Sequence, residues 1–126
     1  MKKRIALLAT VAALVGIVGT VLLANATAAT RVTPVRTVTV TMTDFHFKLA
    51  TGGHPYKHGI VITFKVINKG AAIHNFDIQS VKASKLIGPG KTTTIKVTFK
   101  KAGKYPYVCD VPRHAELGMS GTITVK

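Results

Sequence analysis

Most of the chain beyond its N-terminal quarter alternates between apolar and polar side chains. In residues 37–42 valine and methionine alternate with threonine, and the same period of two runs through residues 60–68 and 94–99. A period of two places the apolar side chains on one face of a β-strand and the polar ones on the other. The pattern therefore predicts half-buried strands, with further short strands at residues 105–109 and 122–125.

Turn-forming residues separate these segments. Glycine occurs together with proline, histidine, alanine or lysine at residues 51–55, 88–90 and 102–104, and such clusters mark reversals of the chain. Phe45 and Phe47 are predicted to continue the first strand. Short strands at regular spacing, without a long helical period, are typical of an all-β protein built as an antiparallel sandwich or barrel.

The N-terminal segment has the pattern of an export signal. Lys2, Lys3 and Arg4 precede an uncharged apolar run, residues 5–24, and the small residues Ala26-Thr27-Ala28 follow it. A charged start, an apolar run and a small-x-small exit are typical of a signal peptide. The run is also long enough to span a bilayer, so an uncleaved anchor is an alternative.

These features divide the chain into parts. We expect residues 1–28 to be a signal peptide or an uncleaved membrane anchor, and residues 29–36 to be a linker or an edge strand. Residues 37–126 then form the folded domain. In either case the domain is exported, to the periplasm or to the outer face of the cytoplasmic membrane.

One cysteine and few acids narrow the chemistry of this chain of 126 residues. A single cysteine excludes an intrachain disulfide framework and metal sites that need two or more thiolates from one chain. The chain has 4 acidic residues against 18 lysines and arginines, with a formal charge of +14. The lysines are scattered over outward strand positions of an exported chain, which argues against nucleic acid and favours a solvated face, or attraction to acidic protein and anionic lipid.

The loop between the last two strands holds three potential metal ligands. Cys109, His114 and Met119 are each separated from the next by four residues, and His74 begins an earlier strand. Soft sulfur donors together with imidazoles suit copper, and two histidines, one cysteine and a weak axial methionine form the blue-copper arrangement. Zinc could bind two histidines and a thiolate, but the methionine would then have no purpose.

The residues around these ligands resemble those of the small blue-copper proteins, the cupredoxins, such as plastocyanin, azurin and pseudoazurin. The motifs that carry the resemblance are His74-Asn75-Phe76, Tyr107-Val108-Cys109, Val111-Pro112-Arg113-His114-Ala115 and Gly118-Met119-Ser120-Gly121. The resemblance covers most of residues 37–126 and implies a Greek-key sandwich. One departure is Arg113, which stands where relatives often have glycine.

The resemblance also implies roles for individual residues. It assigns His74, Cys109 and His114 as equatorial ligands of one copper ion and Met119 as the axial ligand. It gives Asn75 the role of tying the two ligand-bearing loops together by hydrogen bonds. The edge of His114 is expected at the surface, where electrons enter and leave within a docking surface made by Pro112, Arg113, His114, Ala115 and Leu117.

The function predicted from these residues is that of a one-electron carrier cycling between Cu(I) and Cu(II). A non-enzymatic copper carrier or store with the same fold is the alternative. Enzymatic activity is not expected, because the sequence shows no second metal cluster. We expect a monomer that exchanges electrons with acidic redox proteins, and that is tethered to a membrane or touches its surface.

Overall fold

The computed structural model describes residues 35–126, and its regular secondary structure is entirely β. Its strands are β1 (Val35–Thr43), β2 (His46–Ala50), β3 (Val61–Asn68), β4 (Asp77–Ile78), β5 (Lys82–Ala83), β6 (Thr92–Thr98), β7 (Gly103–Val108) and β8 (Ser120–Val125). Within this range no helix is long and apolar enough to cross a membrane. The predicted export segment, residues 1–28, and most of the predicted linker lie outside the described residues.

The alternating segments assemble into two four-stranded sheets, in the orders β2-β1-β3-β6 and β5-β4-β7-β8. In the first sheet β1 and β3 are parallel, whereas β2 and β6 pair antiparallel with their neighbours. In the second sheet all pairs are antiparallel. The sheets also meet at their edges, where β2 contacts β8 and β5 contacts β6. The predicted all-β sandwich is confirmed.

The first strand ends earlier than its apolar pattern suggested. Phe45 has a positive φ of 66°, and the chain reverses at Asp44 and Phe45 to form β2 antiparallel to β1. Phe47 therefore lies opposite Met42 on the neighbouring strand rather than further along the same one. At its other end β1 begins at Val35, two residues before the strict alternation.

The core lies between the two sheets and is formed by the inward positions of the alternating pattern. Its fully buried members include Phe64 and Phe76, whose ring centroids lie 5.5 Å apart. Burying a side chain of this size stabilises the fold by roughly 1.5–3 kcal/mol. The other buried apolar residues are Val38, Val40, Met42, Tyr56, Ile62, Val66, Ile78, Ile87, Ile95, Val97, Phe99, Cys109, Met119, Ile123 and Val125.

The strands connect two ends of the sandwich that carry different loops. At one end Val35, Val61 and Thr98 lie side by side on β1, β3 and β6. At the other end Met42 lies beside Asn68, and the chain leaves β1 towards Asp44 and β3 towards His74. β7 likewise runs from Gly103 at the first end to Val108, immediately before Cys109, at the second. The candidate ligands therefore share one end.

We expect Gly121→Ala to destabilise the domain. Gly121 lies opposite Tyr107 on β7, and a Cβ atom at this position would overlap the phenol ring. The ring cannot move away freely, because it packs against Phe47 and Phe76 with centroids 5.4 Å and 5.2 Å away. Overpacking of this kind typically costs about 1–3 kcal/mol, measurable as a lower midpoint in urea or thermal unfolding.

Gly88→Ala is the matched control, because a Cβ atom there meets nothing within 4 Å. Its free energy of unfolding should stay within about 0.5 kcal/mol of wild type, as for most substitutions that disturb no packing contact. Equal stability of the two variants would contradict the proposed contact between Tyr107 and Gly121.

Candidate metal centre

The loop between β7 and β8 is folded into consecutive tight turns. The backbone N–H of His114 donates to Val111 O at 3.0 Å, that of Leu117 to Arg113 O at 3.1 Å, and that of Gly118 to Ala115 O at 3.1 Å. The loop is closed at its base, where Cys109 N donates to Met119 O at 3.1 Å. These bonds bring Cys109, His114 and Met119 to one point, although four residues separate each from the next along the chain.

Arg113 adopts a backbone conformation that favours glycine. Its φ is 70°, and Gly118 in the same loop has a φ of 110°. For a residue with a Cβ atom the left-handed region costs roughly 1–2 kcal/mol. The departure noted in the sequence therefore keeps the shape of the turn and adds strain and an exposed guanidinium beside His114.

His74 comes from the other half of the molecule, after β3. It pairs in an isolated bridge with Ile87, with N–H···O distances of 3.1 Å and 2.8 Å, and its side chain is completely buried. A buried imidazole must have partners for both ring nitrogens, because an unsatisfied buried polar atom costs about 1–3 kcal/mol. Both nitrogens have such partners.

Three donor atoms converge at this end of the sandwich. The Nδ1 atoms of His74 and His114 lie 3.1 Å apart, and Cys109 Sγ lies 3.8 Å from the first and 3.6 Å from the second. A point equidistant from all three would lie about 2.0 Å from each, within the range of about 2.0–2.3 Å for zinc bonds to imidazole and thiolate. In residues 35–126 this is the one group of three or more histidine, cysteine or acidic side chains that could hold a metal ion.

Met119 lies directly beside this group. Its side chain is fully buried, its backbone N–H donates to His114 O at 2.9 Å, and its carbonyl accepts from Cys109 N. These two bonds position the thioether-bearing residue against two of the converging donors.

Asn75 connects the two segments that carry the donors. Its side-chain carbonyl accepts the backbone N–H of Asp110 at 2.8 Å, and its side-chain amide donates to the Asp110 carboxylate at 2.6 Å. Asn75 is buried and neighbours His74, while Asp110 neighbours Cys109. These two hydrogen bonds fix the spacing between the His74 and Cys109 backbones.

Asp44 is a site residue that the sequence pattern did not reveal. Its carboxylate lies 3.0 Å from Nε2 of His74, the ring nitrogen that faces away from Cys109. The backbone N–H groups of Ala71 and Ala72 also donate to it. These amide bonds and the His74 contact lower the pKa of Asp44, so the carboxylate is ionised.

The ionised Asp44 also sets the tautomer of His74. A carboxylate that accepts a proton on Nε2 leaves Nδ1 as the lone-pair donor facing Cys109. In the sequence, the scarcity of acidic residues was the only signal that pointed to Asp44. Gly70 is required in this arrangement, because a Cβ atom there would overlap the Asp44 carboxylate and crowd His74.

The second imidazole, His114, lies between the cluster and the surface. Its ring is half-buried, and the edge of Phe45 packs against it with centroids 5.2 Å apart. Desolvation, and then the neighbouring His74, lower the pKa of His114. Both effects favour the neutral imidazole, the form in which histidine binds metals.

The predicted docking residues lie in the same loop as His114. Pro112, Arg113 and Leu117 are exposed, and Ala115 is half-buried. His114 is thus the more accessible of the two imidazoles, while His74 is enclosed.

The donor set fits copper in its chemistry. One thiolate and two imidazoles, next to a buried thioether, combine soft sulfur with nitrogen donors, which suits an ion that cycles between Cu(I) and Cu(II). Zinc is also compatible with two histidines and a thiolate, but zinc is not redox active and does not explain the position of Met119. The cluster therefore fits a single copper ion.

Sequence relatives match this chain over part of their own length. The chain is 34% identical over 71 residues to cytochrome c oxidase subunit 2 of Thermus thermophilus, a match that covers 54% of this chain and 50% of the relative. It is 40% identical over 43 residues to the copper-resistant cuproprotein CopI of Pseudomonas aeruginosa, a match that covers 34% of this chain and 24% of the relative. The matched part spans half of these relatives or less.

Solved structures show the same fold at low sequence identity. Auracyanin of Roseiflexus castenholzii superposes with a TM-score of 0.60 at 22% identity, over 71% of this chain and 96% of its own. Auracyanin A of Chloroflexus aurantiacus, a blue copper protein, superposes with a TM-score of 0.61 at 20% identity, over 74% and 100% of the two chains.

The family follows from a broader match. A family profile described as the cupredoxin-like domain aligns with residues 11–125, a range that includes all of β1 to β8 and each of the converging donors. With the two-sheet fold and the donor cluster at one end of it, this match establishes that the chain belongs to the cupredoxin family.

Proposed function

We propose that this protein binds one copper ion in a type 1 site and carries single electrons between redox partners outside the cytoplasm. The observation that carries the proposal is the convergence of Nδ1 of His74, Nδ1 of His114 and Sγ of Cys109 within 3.8 Å of one another. The blue-copper character of auracyanin A, a protein with the same fold, supports it.

Each residue of the cluster has a distinct task. His74, Cys109 and His114 would hold the ion, with Met119 as the weak axial donor. The bound copper would supply a one-electron couple. Asn75 and Asp44 would hold the ligands in place through their hydrogen bonds. Such hydrogen-bond partners orient metal ligands and tune the bound metal.

Burial keeps the site rigid. His74, Cys109 and Met119 are almost entirely removed from solvent, so their side chains cannot reorient without disturbing the core. Close-packed interiors resist such movement. A site that holds its ligands in place in both oxidation states favours rapid electron exchange, because little has to move.

The accessible ligand, His114, provides the route for electrons. Its ring is half-buried, Pro112, Arg113, Ala115 and Leu117 lie in the same loop, and Leu117 has an exposed fraction of 50%. A partner that packs against this apolar surface would approach the imidazole edge. We propose these residues as the docking surface.

Copper handling without electron transfer is the second candidate. The match to a copper-resistant cuproprotein supports it. The enclosed four-residue donor set supports electron transfer instead, because a carrier that hands over copper needs an accessible site. The chain also has only 3 methionines, whereas open copper-transfer sites are typically rich in this residue.

We propose a non-enzymatic, exported protein. The relatives include an oxidase subunit, but oxidase chemistry needs a second redox centre close to the first. Among residues 35–126 one cluster of potential metal ligands is found. The export proposal rests on the charged start, apolar run and small-residue exit of residues 1–28.

Copper-loaded protein should be intensely coloured. We expect strong absorption towards the red end of the visible spectrum, from charge transfer between the Cys109 thiolate and Cu(II), and bleaching by a reductant. Cys109→Ser removes the sulfur donor and should abolish the band while the fold, checked by circular dichroism, is retained. A colourless Cu(II) complex of the wild type, with Cys109 unmodified, would refute the proposed site.

The Asp44 carboxylate should lower the reduction potential. As an anion that accepts the Nε2 proton, it makes His74 a more basic ligand and stabilises the more highly charged oxidised site. Asp44→Asn should therefore raise the potential by roughly tens of millivolts, since about 59 mV corresponds to a tenfold change in a one-electron equilibrium. Spectroelectrochemical titration measures the shift.

The matched control is Asp77→Asn, which removes a charge at the same end of the domain without contacting a ligand. Asp77 lies on β4, opposite Val108 on β7 and Ala83 on β5, and does not pair with His74. Equal shifts in the two variants would mean that Asp44 acts only through its net charge and not through its hydrogen bond to His74.

Arg113 should attract negatively charged reactants to His114. We expect oxidation of the reduced protein by the ferricyanide anion to slow as salt rises, because salt screens charges beyond about 8 Å at physiological ionic strength. Arg113→Glu should slow the reaction further, through the encounter rate, with the copper spectrum unchanged. Stopped-flow kinetics measures both effects.

Lys96→Glu is the control, because it changes the charge equally on the outer face of β6. It should have the smaller effect. A flat salt dependence would contradict the predicted acidic partner, and would mean that Asp44, Asp110 and Glu116 at this end cancel the field of Arg113.

A further inference from the structure

The charges of the domain are distributed unequally between its two ends. All 4 acidic residues of the chain lie at the end with the donor cluster. Asp44 contacts His74, Asp110 contacts Asn75, and Glu116 lies within the ligand loop. Asp77 is opposite Val108, the residue before Cys109. The rest of the described domain has no carboxylate side chain.

The opposite end carries a group of lysines from three segments, which we term the basic pole. Its members are Lys57, Lys100, Lys101, Lys104 and Lys126, all exposed. Backbone hydrogen bonds bring the three segments together. Gly59 N donates to Phe99 O at 2.9 Å, His58 N to Lys126 O at 3.1 Å, and Lys126 N to Tyr56 O at 2.9 Å.

Arg36 fixes the loop that contributes Lys57. Its guanidinium donates to the carbonyl oxygens of Thr51, His54 and Pro55 and lies over the Tyr56 ring, 5.6 Å from the centroid. The lysines themselves have no acidic partner, because the one salt bridge among residues 35–126 joins His74 and Asp44. Their charge therefore faces outward.

The N-terminal segment joins the domain at this same end. β1 starts at Val35, which lies beside Val61, and Val61 lies beside Thr98, two residues before Lys100. The apolar run, residues 5–24, is connected to Val35 through residues 25–34. Ten residues reach at most roughly 35 Å when fully extended, so an apolar segment in a membrane would keep the basic pole close to it.

We infer that the basic pole binds the anionic headgroups of a lipid bilayer and turns the donor cluster away from the membrane. Clustered lysines beside a membrane segment attract anionic lipid, whereas lysine is depleted from protein–protein interfaces. Of the five large apolar side chains that are exposed in residues 35–126, Ile73, Leu86 and Leu117 lie near His74, Ile87 and His114, whereas Val35 and Val81 lie towards the basic pole. The larger share of the exposed apolar side chains thus lies at the end away from the lysines.

Vesicle binding of the full chain tests this inference. The partition coefficient is measured by co-sedimentation with vesicles of phosphatidylcholine alone and of phosphatidylcholine containing about a quarter phosphatidylglycerol. The ratio of the two coefficients isolates the electrostatic part, because the apolar segment contributes to both. We expect a ratio well above one that falls as salt rises.

Two triple variants with equal changes in charge locate the binding surface. Lys57→Gln, Lys100→Gln and Lys101→Gln neutralise the basic pole. Lys48→Gln, Lys65→Gln and Lys96→Gln neutralise the outer face of the first sheet. Each lysine near an anionic surface strengthens binding roughly fivefold, so the pole variant should lower the ratio at least about tenfold and the sheet variant much less.

Three outcomes would overturn the inference. Equal losses in both variants would assign the binding to net charge. An unchanged ratio in the pole variant would assign it to Lys2, Lys3 and Arg4. A wild-type ratio near one would reject lipid and favour an acidic protein as the ligand of the pole.

A second measurement requires no variant. In hydrogen exchange of the wild-type full chain, saturating phosphatidylglycerol vesicles should slow the amides of residues 57–60 and 99–104 relative to vesicles without it. The amides of residues 109–119 should exchange at equal rates. Protection of the 109–119 loop instead would reverse the orientation and refute the inference, and neither result depends on the copper content.

Discussion

The buried imidazole of His74 sets the constraint on which the site depends. With its side chain fully enclosed, each ring nitrogen needs a partner, and the ring faces two different environments. Nε2 faces the Asp44 carboxylate, which is itself held by the amides of Ala71 and Ala72. Nδ1 is left as a lone-pair donor that faces Cys109 and His114. The close approach of Asp44 and His74 in turn requires glycine at position 70.

The sandwich provides the rigidity that this arrangement needs. The parallel pairing of β1 with β3 aligns the ends of these strands, so that Asp44 and the His74 segment leave the first sheet on the same side. β7 and β8 bring the ligand loop to that side from the second sheet. Asn75, just before β4, then ties the His74 segment to the ligand loop through both of its hydrogen bonds to Asp110. The positions of the candidate metal ligands therefore depend on contacts between segments far apart in the chain.

The charged side chains are distributed unequally between the two ends of the domain. The acids of the chain all take part in, or lie beside, the donor cluster. The lysines at the other end have no acidic partners. The positive charge of the chain, formally +14, therefore lies mainly on the body of the domain and at its N-terminal junction. One end of the sandwich is suited to redox chemistry and the other to an anionic surface.

The sequence by itself determined the strands and the candidate ligands, because both can be recognised from residues that are close together in the chain. A period of two decides which side chains of a strand are buried, and Cys109, His114 and Met119 lie within one loop with recognisable neighbours. The sequence did not reveal the reversal at Phe45, since the apolar pattern continues unchanged through the turn. Only the tertiary structure decided that Asp44 contacts His74, 30 residues away, and that three distant segments form the basic pole. Periodicity reports on which face a residue lies, whereas contacts between faces and ends depend on how the strands pair.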